Sequence, residues 1–148
     1  MNSSTVPTSL QPLILEVPTV ALSRQQRFPR SRISIGAARA FVVGTVTEWG
    51  VADRQDDIRL CVSELATNAL LHAVPPGREF SVKLSTDDGL LRIEVRDSGD
   101  GLPEVRYLSV DESRGRGLRL VNELADDYGV VEHAVGKTVW LAFKIPPA

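Results

Sequence analysis

The apolar pattern of this 148-residue chain changes period at Glu79, and that change limits the folds open to it. From Glu79, Phe80, Val82 and Leu84 alternate with polar residues, and Leu91, Ile93 and Val95 do so again after Asp87-Asp88-Gly89. Successive strand side chains point to opposite faces, so this is the pattern of a β-hairpin with one buried side. Upstream, two segments carry the helical period instead. In the first, Ala37, Ala38, Phe41, Val42, Val46 and Trp49 make a broad apolar face, with Ser31 or Ser34 as the N-cap and Gly50 as the stop. In the second, from Asp56 to His72, Ile58, Val62, Leu65, Ala66 and Ala69 fall on one arc. Asp53 offers that helix an N-cap, and Pro75-Pro76-Gly77 ends it.

The rest of the chain fits around the hairpin. Leu118, Val121, Leu124 and Ala125 predict a third helix that stops at Gly129. Two strands follow, roughly 129–134 and 138–145, with Gly136-Lys137 at the turn and Val139, Leu141, Phe143 and Ile145 alternating. Leu13 to Val17 and Val20 to Phe28 suit extended segments. Pro18 and Pro29 interrupt them, which favours a sheet edge over its centre. Strand, helix, helix, hairpin, helix, hairpin is the order of an α+β two-layer sandwich: a mostly antiparallel sheet with helices on one face.

Residues 1–12 are rich in Ser, Thr and Pro, so residues 1–20 are read as a flexible extension and 21–148 as one folded domain. With 43% hydrophobic residues there is enough to build its core. A net charge of −2 gives no general electrostatic case for direct nucleic-acid contact or for an anionic membrane surface. No apolar run approaches the roughly 20 residues of a membrane span, and no basic segment precedes an apolar one at the N-terminus. A cytoplasmic location is the expectation. Cys61, the single cysteine, excludes an intramolecular disulfide and a cysteine-built metal site; on the apolar side of its helix it reads as a small buried hydrophobe.

Three polar features stand out against this frame. Glu64 and Asn68 lie four apart, so they stack on one stripe beside the apolar arc of the second helix. They read either as solvated boundary residues or as a carboxylate and an amide facing a cleft. Asp97 has the parity of Leu91, Ile93 and Val95, which delivers a carboxylate to the buried side where the strand ends; such a group needs a partner. The loop Ser98-Gly99-Asp100-Gly101 that follows is either an ordinary turn or a close-approach loop. Ser113-Arg114-Gly115-Arg116-Gly117 opens the third helix, as a linker or as an anion cradle.

In this order and with these flanks, the three resemble a known family. ELATN on a helix, VRDSGDGL after a strand, GRGL opening a helix and GKT before the last strand are similar to the boxes of the GHKL ATPase superfamily, which has the Bergerat ATP-binding fold. SELATNALLHA and the ending GKTVWLAF resemble its anti-sigma factor serine kinases, across roughly residues 25–145. The resemblance implies an ATP-binding serine-protein kinase that holds a sigma factor and phosphorylates an anti-anti-sigma partner of STAS type, as a homodimer. It assigns Mg²⁺ to Asn68 and the general base to Glu64. Asp97 would accept the adenine amino hydrogen, with Gly99, Gly101 and Leu102 closing around base and ribose. Gly115, Gly117 and Leu118 would form the phosphate cradle, with Arg114 and Arg116 adding charge. Thr138 would support the base through its hydroxyl. His72 would lie near the phosphates, or be a partly buried histidine of no special role. Two further readings remain: an ATP-dependent switch module without phosphotransfer, and a detached histidine-kinase ATPase domain.

Overall fold

A computed structural model of the chain describes residues 21–70, 77–97 and 115–145, with main chain alone for 115–119. Five strands form one sheet in the order β1-β2-β3-β5-β4, every neighbour antiparallel. The elements in chain order are β1 (Ser23–Pro29), α1 (Ile33–Glu48), α2 (Gln55–Asn68), β2 (Glu79–Asp87), β3 (Leu90–Asp97), α3 (Gly115–Leu124), β4 (Asp127–Glu132) and β5 (Lys137–Lys144). β1 lies at one edge of the sheet, and Pro29, which has no N–H to donate, falls at its last position.

The alternating pattern becomes one apolar face. Phe80, Val82 and Leu84 on β2, Leu91, Ile93 and Val95 on β3, and Leu141 and Phe143 on β5 are all buried. Register carries that face across the sheet, pairing Val82 with Val95, Ile93 with Leu141 and Leu91 with Phe143. Asp88 and Gly89 take φ of 52° and 84°, the pair of positive values that a tight hairpin turn with right-handed strand twist requires. The helices cover this face with Ala38, Val42 and Val46 of α1, Ile58, Cys61, Val62, Leu65 and Ala66 of α2, and Val121 of α3. Burial pushes the Cys61 thiol up to about 12, which keeps it a neutral part of this core.

Helix starts differ from the sequence expectation. α1 has Arg32 at its N-cap with no side-chain cap bond; Ser34 sits inside the first turn, and its hydroxyl donates to the Pro29 carbonyl at 2.6 Å. α2 is preceded by Arg54, not capped by Asp53, and Arg54 is left-handed with φ 70°. A left-handed arginine is sterically costly, and it is held by its side chain. Its guanidinium donates to Asp57 at 3.3 Å, to Asp126 at 3.0 Å and to the Leu124 carbonyl, and it lies 5.0 Å over the Phe143 ring. One residue thus ties the start of α2 to the end of α3 and to β5.

Candidate nucleotide site

Strand parity determines what reaches the inner end of β3. Asp97 is 4% exposed and points to the helix side, as Leu91, Ile93 and Val95 do. Extending the β3–β5 register by one step from Arg96 and Thr138 sets Lys137 opposite it. Lys137 is the first residue of β5 and is also buried. Its main-chain N–H donates to Asp97 Oδ1 at 3.3 Å, and its Nζ stands 3.5 Å from Oδ2. Among the described residues, a partner for the inward carboxylate is therefore a lysine from the neighbouring strand.

Thr138 does not come to Asp97. It pairs with Arg96 in the register and so faces the other side of the sheet, where its hydroxyl lies 2.8 Å from His133 Nε2. The period of two allows no other outcome once Val139 and Leu141 point inward. The β5 residue beside Asp97 is therefore Lys137, which the sequence reading did not single out, and the alternation of β5 was the signal that could have found it.

Glu64 and Asn68 ride on α2, which packs between α1 and α3. Both are half-buried, one helical turn apart, flanked by fully buried Leu65 and Ala66. The adjoining Ser63 hydroxyl accepts from Arg39 of α1 at 3.0 Å and donates to the Arg59 carbonyl, which holds this flank of α2 against α1. The main chain of Gly115, Arg116, Gly117 and Leu118 forms the first turn of α3. The side chains of Arg116 and Leu118, and His72, Gly99, Gly101, Leu102 and Arg114 entirely, lie outside the described residues, as does the 1–20 extension.

Among the described residues, no three His, Cys, Asp or Glu side chains gather to hold a metal. A lone amide such as Asn68 still fits Mg²⁺, which uses one or two protein ligands and fills its octahedron with water and phosphate. A cleft of about 390 Å³ at the same end of the sheet is lined by Gln25, Arg27, Ser81 and Arg96. By register these four side chains point away from the helices, and Phe80 and Asp97 at the strand ends also line the cleft.

The whole arrangement lies within a match to the model of the histidine kinase-like ATPase domain over residues 28–143. The anti-sigma F factor of Geobacillus stearothermophilus is 30% identical over 117 residues, 70% of this chain and 80% of that protein. The chain belongs to the histidine kinase-like ATPase family, in its anti-sigma factor branch. The anti-sigma F factor of Halalkalibacterium halodurans is 29% identical over 132 residues, covering 82% of this chain and 85% of the relative. The serine-protein kinase RsbW of Bacillus subtilis is 28% identical over 130 residues, covering 78% and 81%. A Mycobacterium tuberculosis structure of RsbU and RsbW domains shares the fold at TM-score 0.66 and 22% identity; it matches 88% of this chain, which spans about a third of that larger one (34%). Among the described residues no helix of this ATPase-family chain is long and apolar enough to cross a membrane.

Proposed function

We propose that this chain is an ATP-dependent protein serine kinase of the cytoplasm that sequesters a sigma factor and phosphorylates an anti-anti-sigma partner of STAS type. The observation that carries the reading is Glu64, held half-buried on α2 one turn before Asn68, in a member of an ATPase family whose relatives include anti-sigma factors and a serine-protein kinase. A switch module that only bound nucleotide would have no use for a base at that place.

The chemistry follows from the residue types. Glu64 takes the proton of the partner's serine hydroxyl as that oxygen bonds to the γ-phosphorus, and the bond from phosphorus to the bridging oxygen breaks to release ADP. Asp97 accepts from the adenine amino group. Asn68 would hold Mg²⁺, whose charge offsets that of the phosphates. The α3 N-terminus directs main-chain N–H groups and its positive dipole end at the phosphates. The protein works as a homodimer.

Incubation with γ-labelled ATP and a STAS-type partner tests this directly. Acid-stable label on a partner serine is the expected result, and Glu64→Gln should lower its rate by about 10²–10⁴-fold with ATP binding retained. ATP binding without any transferred label would leave a nucleotide-dependent switch, and acid-labile label would point to histidine chemistry.

A further inference from the structure

The ammonium of Lys137 is a buried charge that the phosphotransfer chemistry does not use. Burying an ion pair is a poor way to gain stability, because desolvation cancels most of the attraction. Nor is the ammonium needed to aim Asp97, since the Lys137 main-chain N–H already engages Oδ1 while Nζ stands by Oδ2. What the side chain adds is a donor set beside an acceptor, both on the inner face where β3 ends and β5 begins. An ammonium has three donors and a carboxylate several acceptor positions, so engaging one another does not preclude engaging a base.

We propose that Lys137 is a base-reading residue: Asp97 accepts from the exocyclic amino group of adenine while Lys137 Nζ donates to the ring nitrogen next to it. This rests on the reading of Asp97 as the adenine acceptor. Adenine presents a donor flanked by an acceptor on either side, N1 or N7, and the Asp97–Lys137 pair presents the complementary acceptor and donor 3.5 Å apart. Hydrogen bonds to a charged partner are the stronger kind, and leaving a buried one unmade is costly, which makes such a pair selective.

The test is equilibrium binding, by calorimetry, of ATP, 1-deaza-ATP and 7-deaza-ATP to the unmodified protein and to Lys137→Met. The deaza analogues replace one ring nitrogen by CH and keep the amino group. The unmodified protein should bind one of the two analogues about tenfold or more weakly than ATP, and that analogue identifies the nitrogen read. In Lys137→Met the penalty should shrink to about twofold or less. Equal binding of all three nucleotides by the unmodified protein would overturn the inference without any variant having to fold. An undiminished penalty in Lys137→Met would overturn it as well. Both outcomes leave ATP binding, and with it the proposed function, standing; failure of the unmodified protein to bind ATP would overturn the two together.

Discussion

Strand β5 has an ionic cluster near each end, and the two are built for different purposes. Near its C-terminal end, Arg54 reaches Asp57, Asp126 and the Leu124 carbonyl, and Asp126 also accepts the Lys144 main-chain N–H. Those groups are about one-third exposed, 29% for Arg54 and 31% for Asp126, and their contacts join residues up to 72 positions apart. At its N-terminal end, Asp97 and Lys137 are buried far more deeply, and the contacts they make with one another are long, at 3.3 and 3.5 Å. A clasp gains from many well-made bonds between separate elements, which here outweigh the desolvation of Arg54. A deeply buried acid–base pair at long range stabilises little by itself, and the role proposed for it lies in what it presents to a ligand.

The largest expected effect that would break this comparison is at the clasp. Arg54→Ala should cost about 2–3 kcal/mol of folding stability, since Asp126 and the Leu124 carbonyl lose a charged donor. Arg54→Gly should cost about 1 kcal/mol less, because glycine takes the left-handed conformation without steric cost. Urea unfolding with an unchanged m-value is the measurement, and ATP affinity of the folded fraction should stay within about twofold. The comparison fails if nucleotide binding suffers more than stability. At the other end the order reverses. Asp97→Asn keeps the side-chain shape but turns one acceptor into a donor, so ATP affinity should fall about 10- to 100-fold. A stability loss exceeding the binding loss would make that pair a second clasp.

How much of this the residues announced depends on how local the cause is. The hairpin, the inward Asp97 and the sheet's buried face follow from a period of two, which each strand displays within itself. The five-stranded antiparallel architecture with helices on one face was legible for that reason. Lys137 shows the limit of motif reasoning: the resemblance drew attention to Thr138, while the alternation of Val139, Leu141 and Phe143 is what turns Lys137 inward beside Asp97. The residue that caps α2 could not be read, although the start of the helix was placed within one residue. Asp53 satisfies every local capping preference, but Arg54 is fixed by partners near residues 124–143, which no window around it contains. Glu64 and Asn68 were found by spacing, and only the family resemblance gave them roles.

The smallest effect separates the two clusters by acid titration. The Lys144 main-chain N–H, and after it the Arg54 guanidinium, hold the Asp126 carboxyl below its ordinary range. Its folded-state value is thus lower than its unfolded value, near 3.9, so its contribution is complete above that value. It fades as pH falls through the folded value, because the protonated carboxyl no longer favours the folded chain. Arg54, held protonated by Asp126 and Asp57 against the effect of its burial, does not titrate in this range. Asp126→Asn should therefore be less stable than the unmodified protein by about 1 kcal/mol at pH 7, and the difference should narrow below about pH 4. Urea midpoints measured from pH 7 to pH 3 give the two curves. Parallel curves throughout would mean that Asp126 acts by shape alone, and the clasp would then be Arg54 on the Leu124 carbonyl and Phe143 without its acid partner.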